Sequence, residues 1–445
     1  MLDLADKKVV VVGLGKSGVA AAKLAIARGA RVTATDQKSR EALGDVARDL
    51  EAAGATVAAG GHRAAGLAEA DLVILSPGVP SFPELEAAEA KGVRVLGEVE
   101  AAVQCLARPA PIVAVGGTNG KSTVTTLLGE ILRRHAPRVF VGGNLGEPLA
   151  AHADEAFDWI VLEVSSFQME RVDAFHPRAS ILLNVTADHL DRYPSFDAYA
   201  SAKGNAFVRQ TPEDLAVAPQ GDDVCLRQVG RGKGRLLTFG PGGDADVQRD
   251  AVVFRGERYL RKDMLLRGGH NASNVAAAIC VARDLGVAPD VVRAALAEFR
   301  GLGHRMAFVA EVGGVRFYDD SKGTNVGAAV TALAGLDEDK AVLVAGGRDK
   351  GGSYGPLVDA LVAKGRAVVV LGEAADAIAA AVGDRLPVER ASSMDDAVRR
   401  ARALARPGDA VLLSPACSSF DMFRDYAHRG DEFARAVRSL VEAPR

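Results

Sequence analysis

The stretch VAVGGTNGKST, residues 113–123, joins an apolar strand pattern to a glycine-rich turn, and a helical pattern follows it directly. Glycines in such a turn let successive backbone N–H groups point at phosphate oxygens, and the helix N-terminus adds positive potential. Lys121 can reach the outer phosphates of a nucleotide, and the hydroxyl of Ser122 suits Mg²⁺. The stretch therefore predicts a phosphate-binding loop, which we name the nucleotide loop (residues 116–123).

Strand and helix patterns alternate on both sides of this loop, which indicates parallel sheets with right-handed crossovers. The patterns fall into three blocks, residues 1–98, 99–302 and 303–445, and a chain of 445 residues suits about three domains. We expect an α/β protein with a Rossmann-like N-terminal domain, a central P-loop-type mononucleotide-binding domain and a C-terminal Rossmann-like domain. The charged, glycine-rich residues 231–250 have no apolar face and are expected to form an exposed loop or hairpin edge.

Composition limits the partners of the protein. The net charge is −3, with acidic and basic residues mixed along the chain, so the sequence carries no electrostatic footprint for nucleic acid or an anionic membrane. The four cysteines lie far apart without metal-binding spacing, which suits a reduced compartment. No apolar stretch reaches the roughly 18 residues of a membrane span. We expect a cytoplasmic protein whose partners are small molecules.

A second glycine-rich turn lies near the N-terminus. The stretch VVVVGLGKSGVAA, residues 9–21, has the G-x-G-x-x-G spacing of dinucleotide-binding folds, and Asp36 follows at the end of the next strand pattern. An NAD-dependent oxidoreductase would account for this N-terminal loop (residues 13–18) and would use Asp36 as a ribose ligand. Such an enzyme would leave the nucleotide loop without a function.

Two strand ends of the second block carry acidic or metal-binding side chains. Glu163 ends the apolar run in DWIVLEVSSFQ, at the edge where a parallel sheet presents side chains to a ligand, so it could hold Mg²⁺ or cap a helix. The stretch ILLNVTADHLDRY supplies four further residues: Asn184, Asp188, His189 and Asp191. These favour a second cation or a substrate contact, although both aspartates could be helix caps and the histidine could be structural.

Seven motifs, in this order and spread over nearly the whole chain, resemble those of the Mur ligase family of peptidoglycan synthesis: GGTNGKST, EVSSFQ, NVTADHLDRY, HNASNVAAA, GHRM, DDSKGTN and SPACSSFDMF. The nucleotide loop has three residues, rather than the usual four, between its first glycine and its Gly-Lys pair, and this is the form that the family uses. The segments VGLGKSG, GGRDKGG and LLSPACSSFDMF are similar to those of the D-glutamate-adding members.

The resemblance implies an ATP-dependent ligase that joins D-glutamate to UDP-N-acetylmuramoyl-L-alanine through an acyl phosphate. It also implies two Mg²⁺ ions and a monomeric protein. Alternatives that stay open are another Mur-type ligase, an enzyme similar to folylpolyglutamate synthase, an NAD-dependent oxidoreductase and a non-enzymatic nucleotide switch. Folylpolyglutamate synthases share the second and third blocks but lack such a glycine-rich first domain.

The resemblance assigns roles to individual residues. ATP would be bound by Gly116, Gly117, Thr118, Asn119, Gly120, Lys121, Ser122, Thr123, His270, Asn271, Asn274, His304, Arg305, Asp320 and Lys322. The UDP substrate would be bound by Gly15, Lys16, Ser17, Asp36, Gln37, Lys38, Ser76, Gly78, Asn144 and His189. D-Glutamate would be bound by Thr324, Lys350, Ser419 and Phe423, with Arg348 as an alternative to Lys350. The catalytic residues would be Lys121, His189 and Lys203. The metal ligands would be Ser122, Glu163, His189 and Lys203, the last carbamylated by CO₂.

Overall fold

Three β-sheets, each flanked by helices, make up the protein. The computed structural model describes residues 2–190, 192–266, 268–349 and 351–442. The chain divides into two compact units, which are treated separately below. The first unit comprises Met1–Val185, Asp197–Met264 and Ser273–Phe299, and the second comprises Thr186–Phe196, Leu265–Ala272 and Arg300–Arg445.

The first sheet is parallel and has five strands. Its elements are β1 (Lys8–Val12), α1 (Lys16–Ala27), β2 (Arg31–Asp36), α2 (Arg40–Leu43), α3 (Asp45–Ala52), β3 (Thr56–Ala59), β4 (Leu72–Leu75), α4 (Pro83–Ala90), β5 (Arg94–Gly97) and α5 (Glu98–Gln104). The strand order is β3-β2-β1-β4-β5. The winding reverses beside β1, and ligands of such sheets bind in the crevice that opens there at the carboxyl ends of the strands.

The N-terminal loop connects β1 to α1 at that crevice. A Cβ atom on Gly18 would overlap the carbonyl oxygen of Gly13, so only glycine lets the first turn of α1 pack this closely against the end of the strand. The sequence thus brings the N-terminus of α1 to the ligand edge of the first sheet.

The second sheet has nine strands in the order β14-β13-β12-β11-β10-β9-β6-β8-β7. Its elements are β6 (Ile112–Gly116), α6 (Lys121–Arg133), β7 (Val139–Gly143), β8 (Trp159–Glu163), α7 (Ser166–Met169), β9 (Ala179–Leu182), α8 (Phe196–Gly204), β10 (Leu215–Pro219), α9 (Asp223–Val229), β11 (Arg235–Gly240), β12 (Ala245–Val247), β13 (Ala251–Phe254), β14 (Glu257–Leu260), α10 (Gly269–Asp284) and α11 (Pro289–Glu298). All five residues of β6 are buried, as expected for a parallel strand covered on both faces.

Residues 231–250 differ from the expected exposed loop or hairpin edge. Strand β11 pairs in parallel with β10 inside the sheet, so the prediction is wrong for residues 235–240. Only β12, β13 and β14 form an antiparallel edge. The side chains of β11 give no clear strand pattern, because Arg235 and Leu236 are exposed while Phe239 is buried. Main-chain pairing with β10 decides the conformation of this segment.

The third sheet lies in the second unit and has the strand order β15-β16-β20-β17-β18-β19, parallel except for the β15–β16 pair. Its elements are β15 (Ala307–Val312), β16 (Val315–Asp319), α12 (Val326–Ala334), β17 (Ala341–Gly346), α13 (Gly355–Lys364), β18 (Gly365–Leu371), α14 (Ala375–Val382), β19 (Val388–Arg390), α15 (Met394–Leu404), β20 (Ala410–Leu413) and α16 (Tyr426–Glu442). Alternate residues of β17 enter two apolar clusters, one with α12–α14 and the other with α15 and α16.

The three sheets with their flanking helices confirm the predicted α/β class. The boundaries near residues 98 and 302 stay predictions. All four cysteines are buried and free of disulfides. Across the described ranges, no helix combines the length and apolar character needed to cross a membrane.

Candidate functional site

The nucleotide loop lies between β6 and α6 in the first unit, so its backbone N–H groups and the helix N-terminus share the carboxyl edge of the sheet. The ammonium of Lys121 donates to the carbonyl oxygen of Thr118 at 2.8 Å, which folds the side chain back over the loop. Gly120 has a φ of +87°, and a Cβ there would come within 2.5 Å of Asn274 Oδ1. Asn274, on α10, therefore lies against the loop, and its role in ATP binding stays a prediction.

Asn184 supports the nucleotide loop through its main chain and its amide. Its carbonyl oxygen accepts from Thr118 N at 2.9 Å, and its Oδ1 accepts from Asn119 N at 2.8 Å. Its Nδ2 donates back to Asn119 O at 3.1 Å. The sequence places this residue among possible metal or substrate contacts, but the structure uses its side chain to fix the loop.

Helix α8 braces the other side of the loop. The buried Lys203 donates from Nζ to the carbonyl oxygen of Gly117 at 2.8 Å and lies over the ring of Tyr199, 4.6 Å from its centroid. The hydroxyls of Tyr199 and Thr118 share a hydrogen bond of 3.0 Å. Lys203 is thus beside the predicted phosphate site. Tyr199 is a loop-supporting residue that sequence reasoning missed, since an aromatic side chain on a helix is usually a packing residue.

Glu163 ends β8 next to the start of the nucleotide loop, because strand pairing places it opposite Val115. The side chain is buried, and Oε1 accepts from Asn144 Nδ2 at 2.6 Å. The second carboxylate oxygen, Oε2, is buried and has no hydrogen-bond partner among the described residues. An unpaired buried carboxylate oxygen is costly unless a cation or donor meets it, so this atom fits a Mg²⁺ ligand.

No cluster of three or more His, Cys, Asp or Glu able to hold a metal occurs in the part of the chain that the structure describes. Mg²⁺ at nucleotide sites is commonly held by one or two protein groups together with phosphates and water. Ser122, buried in the first turn of α6, and Lys203 are the other predicted metal ligands in this region. The first unit therefore brings together the nucleotide loop, Glu163, Lys203 and Asn274.

A cavity of about 420 Å³, also in the first unit, opens beside the N-terminal loop. Seven residues predicted to bind the UDP substrate line it: Gly15, Lys16, Ser17, Asp36, Ser76, Gly78 and Asn144. The described lining does not include Gln37 or Lys38. The cavity is thus bordered by the first sheet and by the segment that follows β7.

Asp36 and Ser76 hold the N-terminal loop in place. The two carboxylate oxygens of Asp36 accept from Leu14 N at 2.7 Å and from Lys38 N at 2.9 Å. The hydroxyl of Ser76 donates to the carbonyl oxygen of Gly13 at 2.7 Å. Asp36 lines the cavity, but both of its oxygens already fix the surrounding backbone, so its first effect on a ligand is to position the loop.

In the second unit, four residues predicted to bind ATP lie around the end of β16: His304, Arg305, Asp320 and Lys322. His304 Nδ1 and Asp319 Oδ2 are 2.7 Å apart, and Lys322 Nζ lies 3.6 Å from the ring centroid of Tyr426. The main chain of Lys322 donates to the carbonyl oxygen of His304 at 3.0 Å. This segment and the turn before β15 are therefore held together.

Asp320 is almost completely buried, and Ser414 Oγ donates to its Oδ2 at 2.7 Å. Burial raises the pKa of Asp320 to about 7, against the hydrogen bond from Ser414 and the positive charge of Arg305. Burial and the same arginine charge lower the pKa of His270, which favours a neutral imidazole near pH 7. Asn271 follows His270 on α10.

A second cavity, of about 390 Å³, lies within the second unit and includes His189 in its lining. Asp188 holds this region: its Oδ2 accepts from Asn325 Nδ2 at 3.1 Å, and its Oδ1 accepts from His189 N at 3.0 Å. His189 has a φ of +55°, uncommon for a non-glycine residue. Asn325 also caps α12 through Ala328 N, so the predicted histidine is tied to the start of that helix.

The described residues that are predicted to bind D-glutamate, Thr324, Ser419 and Phe423, lie in the second unit. Thr324 precedes α12 and its main chain donates to Lys322 O at 2.9 Å. Ser419 is buried, and its carbonyl oxygen accepts from Phe423 N at 2.9 Å. Arg348 pairs with Ser418 in an isolated β-bridge. Lys350 lies outside the described residues, and so does Asp191.

Arg429 is a polar residue of the second unit that sequence reasoning missed. It is 1% exposed, and its guanidinium donates to Ser321 Oγ at 3.0 Å, Ser321 O at 2.8 Å and Cys417 O at 3.1 Å. Burial lowers the pKa of Arg429 to about 10. The cation thus joins the DDSKGTN and SPACSSF segments, but one arginine on a mostly polar helix gives no sequence signal of such a role.

Three models of Mur ligase domains match the chain. The model described as Mur ligase MurD-like, N-terminal domain, matches residues 7–97. The Mur ligase middle domain matches residues 115–282, and the model described as Mur ligase, glutamate ligase domain, matches residues 304–417.

Similar proteins cover the full length of the chain. The chain is 46% identical over 452 residues to UDP-N-acetylmuramoylalanine–D-glutamate ligase of Syntrophotalea carbinolica, covering 99% of each protein. It is 43% identical over 455 residues to the ligase of the same name from Myxococcus xanthus, covering 99% of this chain and 100% of that one.

Solved structures share the fold at lower identity. MurF ligase of Thermotoga maritima, in complex with ADP, has a TM-score of 0.64 at 18% identity, covering 99% of each chain. UDP-N-acetylmuramate-alanine ligase MurC of the same organism has a TM-score of 0.61 at 22% identity, covering 97% of this chain and 99% of that one. These likenesses support the three-domain α/β architecture predicted from the sequence.

Proposed function

The chain belongs to the Mur ligase family, and from that membership we propose that it joins D-glutamate to UDP-N-acetylmuramoyl-L-alanine at the expense of ATP. The protein is an ATP-dependent acid–amino-acid ligase of peptidoglycan precursor synthesis. The chain is 40–46% identical over nearly its full length to UDP-N-acetylmuramoylalanine–D-glutamate ligases, and this similarity supports D-glutamate as the amino-acid substrate. The NAD-dependent oxidoreductase interpretation is abandoned, since it explains only the N-terminal loop.

One observation in the molecule carries the proposal. The nucleotide loop, the N-terminus of α6 and Lys121 lie beside Glu163, whose Oε2 is buried without a hydrogen-bond partner in the described part of the chain. The loop N–H groups and the Lys121 ammonium are therefore available to bind phosphates. The Oε2 atom of Glu163 is available to bind a metal ion. A ligase that activates a carboxylate with ATP needs both.

The chemistry explains why cationic groups surround the loop. A carboxylate is a poor electrophile, so the alanine carboxylate of the substrate first attacks the γ-phosphorus of ATP, ADP leaves, and the carboxylate becomes an acyl phosphate. The amine of D-glutamate then attacks the acyl carbon, a tetrahedral intermediate forms, and inorganic phosphate leaves. Both steps gather negative charge near the transferred phosphoryl group, where Lys121 and the loop N–H groups stabilise it.

Mg²⁺ would be held by Ser122 and Glu163, and when bound it supplies positive charge to the phosphate oxygens. Lys203 is proposed to be carbamylated and to serve as a further metal ligand. A carbamate keeps one N–H on Nζ, so the modified side chain retains a donor for Gly117 O, to which the unmodified lysine donates at 2.8 Å. The metal-binding and substrate-binding roles of His189 stay predictions.

The UDP substrate is proposed to occupy the 420 Å³ cavity beside the N-terminal loop. Its diphosphate would meet the N-terminus of α1, with Ser17 nearby, and its uracil would lie at the Asp36 end. D-Glutamate is proposed to bind through Thr324, Lys350, Ser419 and Phe423 in the second unit. The protein is proposed to act in the cytoplasm as a monomer.

The direct test follows phosphate release with ATP, Mg²⁺, UDP-N-acetylmuramoyl-L-alanine and one amino acid at a time. We expect release that depends on D-glutamate and on the nucleotide substrate, with little release for L-glutamate, L-lysine or diaminopimelate. Release that is equal for all amino acids, from a protein shown to be folded by circular dichroism, would contradict the proposal.

The carbamate has its own test. Mass spectrometry of the intact protein trapped under ¹³CO₂ should show one added carboxyl group, and a Lys203→Ala variant should lack it. Short carboxylic acids should restore part of the activity of that variant if the modified lysine acts as a carboxylate. Full activity of Lys203→Ala without added acid would contradict the proposed role.

A further inference from the structure

An ion pair lies at the mouth of the cavity in the first unit. Lys16 Nζ and Glu147 Oε1 are 2.7 Å apart, and the same ammonium donates to the carbonyl oxygen of Gly146 at 3.2 Å. Lys16 is the first residue of α1, where an anion meets the helix N-terminus. Glu147 comes from the segment after β7, and neither the sequence motifs nor the family resemblance assigns a role to this residue.

The backbone around Glu147 is held in place, and the neighbouring residues Gly146 and Pro148 line the cavity together with Lys16. The carbonyl oxygen of Glu147 accepts from Gly143 N at 2.9 Å. Asn144 N donates to Glu163 O at 2.9 Å, and its side chain donates to Glu163 Oε1 at 2.6 Å. The loop Gly143–Glu147 is therefore anchored on the strand that carries Glu163, and Gly143, Asn144 and Gly146 line the cavity.

The ion pair is placed to be exchanged rather than to stabilise the fold. The side chains of Lys16 and Glu147 are 62% and 56% exposed, and ion pairs this exposed contribute little net free energy. A diphosphate at the N-terminus of α1 carries at least two negative charges and would compete for the same ammonium with a larger charge. Lys16 can therefore change partner at small cost, while the main chain of Glu147 stays hydrogen-bonded to Gly143.

We propose that Glu147 is an internal counter-anion of the cavity, which neutralises Lys16 until the diphosphate of a UDP compound replaces it. The inference rests on the proposed function, because it takes the cavity as a nucleotide-sugar site. It deepens that function by naming a residue that tunes specificity. Uridine does not reach Lys16 and leaves the pair intact, whereas a UDP compound must replace Glu147, so the pair lowers the affinity for the diphosphate group and leaves the affinity for uridine unchanged.

The test compares binding of UDP and of uridine to the full chain by isothermal titration calorimetry at low salt. Glu147→Gln removes the competing charge and should raise the affinity for UDP about twofold to fivefold, in line with one exposed ion pair. Lys16→Met should lower the affinity for UDP by a similar factor or more. Neither variant should change the affinity for uridine. Glu155→Gln, an exposed carboxylate of the same unit that pairs with His152, is the matched control and should change neither.

The double variant Lys16→Met/Glu147→Gln separates an exchange of partners from simple repulsion. If Glu147 acts through Lys16, the gain from Glu147→Gln should be largely lost once Lys16 is methionine. Unchanged or weaker UDP binding by Glu147→Gln, or an equal gain in both backgrounds, would overturn the inference. Absence of UDP binding by the unsubstituted chain would overturn it together with the assigned cavity. UDP binding with the expected variant effects, but no D-glutamate-dependent phosphate release, would contradict the proposed function alone.

Discussion

The two glycine loops of the first unit begin alike and end in different surroundings. Each follows a buried strand and leads into a helix at the carboxyl edge of a parallel sheet. The N-terminal loop is fixed by Asp36 and Ser76, both from neighbouring strands of its own sheet. The nucleotide loop carries its own lysine and lies beside a carboxylate with a spare oxygen, on Glu163.

The comparison shows that a glycine-rich turn provides only the backbone donors for a phosphate. The charged groups around the turn determine which ligand binds. At the N-terminal loop the nearest cation, Lys16, is already balanced by Glu147, and the acid Asp36 is used by the backbone. That arrangement suits an anion that is held and not transformed. At the nucleotide loop, Lys121 and Glu163 suit a phosphate whose charge changes during a reaction, because a cation and a metal ligand are both within its surroundings.

The largest expected effect separates the two loops outright. Lys121→Ala should lower D-glutamate-dependent phosphate release about 1000-fold, since the loss of one preorganised charge donor costs up to that factor. UDP affinity should stay within about twofold, because the N-terminal loop is untouched. Phosphate release and UDP calorimetry measure the two quantities, and Lys23→Ala, an exposed lysine of α1, is the control. If Lys121→Ala lowered phosphate release and UDP affinity to the same extent, the two loops would not bind different ligands.

Glu163→Gln should reduce turnover about 100-fold at low Mg²⁺, since the amide is a weaker ligand for a hard cation. Raising the Mg²⁺ concentration should recover part of the loss, and a titration of rate against Mg²⁺ measures this. The control Glu155→Gln should keep the Mg²⁺ dependence of the original chain. If added Mg²⁺ restored none of the lost turnover, the Glu163 carboxylate would not act as a metal ligand.

Asp36→Asn should weaken UDP binding about tenfold and leave ATP binding unchanged. An amide can replace only one of the two acceptors that hold Leu14 N and Lys38 N, and leaving a backbone donor unpaired costs about 1–3 kcal/mol. Calorimetry with UDP and with ATP measures both effects. Asp45→Asn, an exposed aspartate of the same sheet region, should change neither. An equal loss for the two nucleotides would mean that the loops are not independent.

The smallest effect concerns the support of the nucleotide loop. Tyr199→Phe removes the hydroxyl partner of Thr118, and one hydrogen bond of this kind is worth about 1 kcal/mol, or roughly fivefold. We expect kcat/KM for ATP to fall by that factor, with UDP binding unchanged. Tyr259→Phe, at another buried tyrosine of the first unit, is the matched control. If kcat/KM for ATP did not change in Tyr199→Phe, the hydrogen bonds of Asn184 and Lys203 alone would hold the nucleotide loop in place.

Much of this contrast could be predicted from the sequence. Strand runs ending in glycine, followed at once by helical patterns, indicated both loops, and Glu163 was placed at a strand end by its apolar neighbours. Residues 235–240 were mispredicted, because half-exposed side chains hide a strand whose pairing is decided by main-chain hydrogen bonds. Asn184 was assigned a possible ligand role because its chemistry permits one, and its use in the loop depends on the position of a separate segment.

The second unit shows the same limit more strongly. The DDSKGTN and SPACSSF segments are 94 residues apart at Asp320 and Ser414, which are hydrogen-bonded in the fold. Arg429 is buried against both segments, although its helix, α16, is largely polar. Sequence patterns report the periodicity of one element, and they carry no information on which distant carbonyl groups a buried cation will meet.

The sequence by itself determined the α/β class and the positions of two phosphate-binding turns, and its family motifs indicated the ATP-dependent ligase chemistry. Those features are local, because glycine spacing and apolar periodicity act over a few neighbouring residues. Only the tertiary structure decided that Asp36 holds the N-terminal loop, that Lys16 faces Glu147 and that one oxygen of Glu163 has no hydrogen-bond partner among the described residues. These facts depend on segments up to 131 residues apart in sequence that sheet pairing and packing bring together.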